Sequence, residues 1–268
     1  MRQGWGMTTE LDEIVLDAVD PVALGGWWSE LLGLPATLDA DGDVELAPPT
    51  GEPGVPLLFC RVDDAAAGSQ RLHLDLRSGS PAEQQALVAR AEAAGGRQVD
   101  IGQGDVPWVV LADPEGNVFC VLEPRPEYHD AGPLAAVVVE ALDTAAAARF
   151  WAAATGWDIT RDDQRFASLR APGGTGPALE FLRVDRLPPG KNRLHLDVAP
   201  TSGTVADQDQ DRDKDKDQDR EGARDAEVAR LVGLGARPLE VGQSAASGGV
   251  SWVVLADPEG AAFCVLAG

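Results

Sequence analysis

Residues 108–122 read WVVLADPEGNVFCVL and residues 252–266 read WVVLADPEGAAFCVL, identical at 13 of 15 positions and 144 residues apart. Agreement of that extent means that one structural unit stands twice in the chain. Two further matches place the copies: RLHLDL at 71–76 returns as RLHLDV at 193–198, and LDEIVLDAVD at 11–20 aligns with LAAVVVEALD at 134–143. These offsets are 122 and 123, so the 22-residue difference from the first falls mainly in an Asp-rich stretch of the second copy. The expected domains are residues 10–126 and 132–268, with an insert at about 203–224.

Local signals within one copy alternate strand and helix. Ile14–Val19 is a β-type run, and Asp20-Pro21 offers a helix N-cap with Pro at the first helical position, leading into LGGWWSELL and ending at Gly33. Asp41-Gly42 is a hairpin dipeptide between two short strands, and a third strand covers 57–62. The order then restarts: a strand from Leu72, a capping box at Ser80-Pro81-Ala82-Glu83, a helix that stops at Gly95-Gly96, and strands near 97–100, 107–112 and 118–122. Asp113-Pro114-Glu115-Gly116 fits a type I turn between the last two and is read simply as a good turn. Each copy is thus βαβββ twice over, an α+β architecture.

Composition excludes several partners. Forty-four acids against 22 bases, a formal charge of -22, leave no Lys/Arg stripe for a phosphate backbone, so nucleic acid is not a partner. No apolar run is long enough to span a bilayer and MRQGWGMTTE carries no apolar leader, so a cytoplasmic chain without a membrane partner is expected. Cys60, Cys120 and Cys264 are odd in number and form no CxxC pair, which gives neither a disulfide framework nor a structural zinc cluster. Asp207–Asp225 has nine acids, five bases and no apolar residue except Ala223, and is expected to be a solvated, disordered loop. No GxSxG, HExxH, P-loop or dinucleotide motif stands in its required context.

The strand–helix–strand order, the Asp-Pro helix opening, the RLHLDL strand and the closing WVVLADPEG hairpin resemble the glyoxalase/bleomycin-resistance/extradiol dioxygenase superfamily, called vicinal oxygen chelate, and within it the glyoxalase-like domain. That resemblance covers nearly the whole chain. It implies tandem domains, each of two βαβββ modules curled into a mixed sheet with helices on the convex side and a small-molecule ligand on the concave side. It implies a divalent metal (zinc, nickel, iron or manganese) held from the first, fifth and last strands, sometimes with a fourth ligand from strand four. It also implies that the two copies pair as an intramolecular pseudo-dimer.

Strand alternation puts Arg71, His73 and Asp75 on one face and the leucines between them on the other. The polar row faces the cavity, where His73 is either a metal ligand or a member of a satisfied polar row. His195 and Asp197 repeat it in the second copy. The resemblance brings Glu13 to the first-strand position, where the second copy has Ala136, and Glu180 to the fourth-strand position, where the first has Leu58. It brings Cys120 and Cys264 to the last-strand position, where a cysteine in FCVL also reads as a small buried hydrophobe. The candidate metal sets are Glu13/His73/Cys120 and Glu180/His195/Cys264. Trp108 and Trp252 complete the ligand pockets, while Trp27, Trp28, Trp151 and Trp157 read as core. Neither set is the two-histidine-plus-carboxylate triad of non-haem iron oxygenases, so dioxygenase chemistry is not expected. The functional expectation is a small-molecule binder of sequestration or resistance type. The alternative is a metal-dependent lyase or isomerase of glyoxalase I type.

Overall fold

The structure is a computed structural model that describes residues 9–64, 70–201, 213–240 and 252–267. The first copy contributes β1 (Thr9–Ala18), α1 (Pro21–Leu32), β2 (Ala36–Leu38), β3 (Val44–Leu46), β4 (Leu57–Arg61), β5 (Leu72–Leu76), α2 (Pro81–Ala93), β6 (Arg97–Gln98), β7 (Val109–Ala112) and β8 (Val118–Val121). A single 3-10 turn, Pro126–Tyr128, lies in the linker. The second copy contributes β9 (Leu134–Ala141), α3 (Thr144–Thr155), β10 (Asp158–Asp162), β11 (Phe166–Arg170), β12 (Ala178–Arg183), β13 (Leu194–Pro200), α4 (Asp213–Gly233), β14 (Arg237–Pro238), β15 (Trp252–Ala256) and β16 (Ala262–Leu266).

The helix boundaries follow their local signals. Asp20 accepts from the Ala23 N–H at the start of α1, and Gly33 closes that helix in the left-handed region at φ 70°. Ser80 accepts from the Glu83 N–H at the start of α2. One expectation fails: α4 begins at Asp213 and carries helix through the second half of the acidic run, while residues 202–212 lie outside the described residues. Acids and bases three residues apart, such as Glu221 and Arg224, support a helix without apolar content. Leu231, fully buried, and Arg230 anchor its far end, Arg230 donating to the Ala153 and Ala154 carbonyls at 2.8 and 2.9 Å.

Two eight-stranded sheets result, ordered β14-β15-β16-β13-β1-β4-β3-β2 and β10-β11-β12-β9-β5-β8-β7-β6. Each sheet is two βαβββ modules, as the α+β reading requires, but the two modules come from different copies. The first sheet joins β1–β4 to β13–β16 through the antiparallel pair β1–β13, and the second joins β5–β8 to β9–β12 through β5–β9. The copies are therefore paired as a pseudo-dimer by strand exchange.

Each copy nonetheless stays one packed unit across the two sheets. Trp28 of α1 stacks edge-on against Phe119 of β8 with ring centroids 4.9 Å apart, and Trp151 of α3 does the same with Phe263 of β16 at 5.2 Å. The Asp-Pro-Glu-Gly turns fasten the same seam, a role beyond that of a good turn. Asp113 accepts from the Trp28 indole at 3.0 Å, and Glu115 accepts from the Val19 and Asp20 N–H groups. In the second copy Glu259 accepts from Leu142 and Asp143 at 2.9 and 2.7 Å and pairs with Arg71 at 3.1 Å. One hydrophobic core runs through both sheets.

Candidate functional site

The two joining pairs position the candidate side chains. In the first sheet Val15 lies opposite His195 and Glu13 opposite Asp197, while β16 brings Cys264 beside Asp197. In the second sheet Val138 lies opposite His73 and Ala136 opposite Asp75, with Cys120 beside Asp75 and Glu180 beside Val138. Alternation sends Leu194, Leu196 and Val198, like Leu72, Leu74 and Leu76, into the core beneath the helices. The imidazole, carboxylate and thiol point the other way, into the concavity.

One ligand atom each from His73, Asp75 and Cys120 gather within 4.8 Å of one another, and His195, Asp197 and Cys264 repeat the cluster. His195 Nε2 stands 3.3 Å from Asp197 Oδ1, and His73 Nε2 stands 3.4 Å from Asp75 Oδ1, but neither contact is aligned as a hydrogen bond. Both Oδ1 atoms are buried without a hydrogen-bond partner. Each cysteine lies in register beside its aspartate on the neighbouring strand.

Burial governs the protonation of these groups. It pushes Glu13 up to about 8, with help from Asp197, Asp12 and Glu45, and raises Asp197 to about 6. Burial also holds His195 down to about 4, so its imidazole is neutral at physiological pH with a lone pair to offer. The Cys120 and Cys264 thiols are pushed up by burial and then by the adjacent carboxylates. At physiological pH the first floor therefore sets an ionised Asp197 beside a neutral His195, a protonated Glu13 and a protonated Cys264 thiol, and a cation that takes the thiol as a ligand displaces its proton.

The exchange of modules decides which candidates meet. Glu13 joins His195, Asp197 and Cys264, not His73 and Cys120. Glu180 joins Asp75 and its neighbours His73 and Cys120, not His195 and Cys264. Both expected sets are corrected by swapping their glutamates, because each sheet takes its first-to-fourth strands from one copy and its fifth-to-eighth from the other. Asp75 and Asp197, read as pocket residues, supply the third donor of each cluster. Trp252 is 37% exposed and lies on the Cys264 face of the first sheet, two residues from Val254, which pairs with Cys264. Trp27, Trp28 and Trp151 are core, and Trp157 packs against its edge.

Residues the sequence reading passed over shape both floors. Cys60, on β4, adds a half-buried thiol near Glu13, Asp197 and Cys264. In the second sheet Tyr128, from the linker, donates its phenol to Glu180 at 2.8 Å, and Ser168 donates to the same oxygen at 3.3 Å. Burial raises Glu180 to about 7 against the pull of these donors. The guanidinium of Arg125 sits over the Trp108 ring, 5.6 Å from its centroid. The signal for Tyr128 was present, since it is the chain's one tyrosine, in PRPEYHD between the copies.

A divalent ion fits the donor set. An imidazole nitrogen, a carboxylate oxygen with no other partner and a thiol sulfur suit a borderline-soft transition metal such as zinc.

Among solved structures the chain is similar to glyoxalase I from Zea mays, with 14% identity, 97% of this chain and 92% of that one covered, and a TM-score of 0.60. A single-substitution variant of the maize enzyme aligns with a TM-score of 0.64, again at 14% identity, covering 97% of this chain and 94% of that one. A putative dioxygenase from Bacillus subtilis aligns at 14% identity and a TM-score of 0.57, covering 97% and 86%. At these identities the likeness is one of fold. No curated protein matches the chain. The glyoxalase-like domain pattern matches residues 13–122 and again 136–266, nearly all of both copies, and the chain belongs to the glyoxalase-like domain family.

Proposed function

We propose that this protein binds a small molecule in the concavity of the first sheet, and that the part of the ligand reaching the floor carries a positive charge or N–H and O–H donors. The observation that carries this reading is the buried, unpartnered Asp197 Oδ1 beside His195 and opposite Glu13. A buried acceptor without a donor costs about 1–3 kcal/mol, which a donating ligand recovers on binding. Trp252 on the Cys264 face supplies an apolar wall, and a few convergent polar groups with such a wall are what small-molecule sites use. The ligand class is a flat, cationic or donor-bearing molecule, held for sequestration or resistance. Fluorescence titration with an acridine-type aromatic cation tests it. Asp197→Asn is expected to weaken binding roughly tenfold, the equivalent of about 1.4 kcal/mol; an affinity unchanged in both Asp197→Asn and Glu13→Gln rejects the site.

The same clusters favour a second reading, a divalent metal held by His195, Asp197 and Cys264 in a lyase or isomerase. A bound metal would supply Lewis-acid polarisation of a substrate carbonyl. Glu13, uncharged at neutral pH and adjacent to the floor, would then hold or move the proton. Elemental analysis of protein purified without chelator separates the readings. A stoichiometric transition metal selects the second, and its absence leaves the first.

A further inference from the structure

We infer that the linker between the copies is a built-in occupant of the second concavity, with Tyr128 standing where a ligand would otherwise lie. The inference extends the reading of the concave clusters as ligand sites to the question of how many such sites one chain offers.

Three observations converge on it. Tyr128 and Glu180 are 5% and 4% exposed, so the phenol and its acceptor are sealed inside the fold and not resting on its surface. The ring belongs to a hydrophobic cluster separate from the main core, made with Val110, Cys120, Ala136 and Val138 of the concave face. Thus the linker tyrosine packs into the same apolar cluster as Cys120 of the His73/Asp75/Cys120 group. Second, Arg125 lies over Trp108, so the aromatic wall of this concavity is also taken by the linker. Third, the segment is pinned beyond the tyrosine: Asp130 accepts from the Gly176 N–H at 3.1 Å, and Gly132 accepts from Arg77 Nε at 2.8 Å. Gly132 itself holds φ 76°, and a Cβ there would come 2.6 Å from the Pro53 carbonyl oxygen, so the linker path tolerates no side chain at that point.

The first sheet cannot receive a tyrosine in the same way. Strand register puts Leu58 where the second sheet has Glu180, and Glu45 where it has Ser168. The acceptor that Glu180 supplies is replaced by Leu58 there, and the floor carries Glu13 in place of Ala136. Duplication produced two concavities; the linker closes one and leaves ligand binding to the other.

Tyr128 is the only tyrosine in the chain, so nitration by tetranitromethane reports on it alone. In the folded wild type it is expected to react about tenfold or more slowly than in urea, because reaction must await local opening. Glu180→Leu, which installs the residue of the first sheet, is expected to restore fast reaction, while Glu180→Gln, which keeps an accepting oxygen, retains protection. Cobalt(II) titration of the reduced protein, followed by the thiolate-to-cobalt absorption band, counts open clusters. The wild type should bind one ion, lost in Cys264→Ser and kept in Cys120→Ser; Tyr128→Ala should bind two, the second lost when Cys120→Ser is added. Free reaction of Tyr128 in the folded wild type overturns the inference, as do two ions bound by the wild type or one by a folded Tyr128→Ala. A protected Tyr128 with no cobalt uptake in any variant supports the plug and removes instead the reading of the clusters as cation sites.

Discussion

Glu13 carries the clearest consequence of burying acids on a sheet floor. Its carboxyl is raised from the ordinary 4.5 to about 8 by burial and by the neighbouring carboxylates, so the folded state holds its proton more tightly than the unfolded chain does. The associated stability is fully present below about 4.5 and is lost as pH rises through about 8. Glu13→Gln mimics the protonated form. It should melt with the wild type at pH 5 and above it at pH 9, by roughly 2–4 °C, the shift that about 1 kcal/mol produces in a chain of this size. The effect stays well below the full shift because Glu13 is only partly buried and water screens it. Thermal melts at the two pH values check it; a wild type and variant that differ equally at both would exclude the titration. The residue was legible as a candidate in the sequence, but its neighbours were not, since the groups that raise it include Asp197, 184 positions away across β1–β13.

Helices and strands are the scale at which the sequence spoke most plainly. Asp20-Pro21 and Ser80-Pro81 each announced a helix start, and both side chains take the N–H three residues on. Ser80→Ala should cost about 1 kcal/mol, read as a lowered urea midpoint with unchanged slope, since it strips the Glu83 N–H of its acceptor. Its counterpart α4 marks where such reading stops. The acidic run of the second copy looked too polar to order, yet charge spacing and the anchors Leu231 and Arg230 carry helix back into it. The strand faces were equally legible, because alternation is a local property: leucines down, Arg71, His73 and Asp75 up. Tyr128 ends a 3-10 turn in the linker and follows no period, so although it stands out as the chain's one tyrosine, nothing local placed it on Glu180.

At the scale of the molecule the two sheets hold together along the seam fastened by the Asp-Pro-Glu-Gly turns. Arg71 and Glu259 are 5% and 12% exposed, and Glu259 also serves two backbone N–H groups of the facing module. Glu259→Ala leaves a buried guanidinium without its counter-charge and should destabilise the fold by about 3 kcal/mol, in the range for breaking a buried pair. Glu115→Ala should cost less, because Arg193, like Arg71, reaches a backbone carbonyl that the substitution keeps, while the carboxylate pair at 3.1 Å is the one between Arg71 and Glu259. Equal losses in the two variants, by denaturant unfolding, would contradict the assignment.

The sequence by itself determined that there are two copies, that each is βαβββ twice, where the helices start, and which strand residues face the cavity. Those features depend on contacts a few residues apart and on a period of two or 3.6. Only the tertiary structure decided which module pairs with which, and so that Glu13 meets His195 and Glu180 meets His73. Modules of one repeat present nearly the same edges and faces, so local patterning fits either partner. The choice rests on contacts 91 and 112 residues apart, the aromatic stacks of Trp28 with Phe119 and Trp151 with Phe263 holding each copy together across sheets that its own strands do not share.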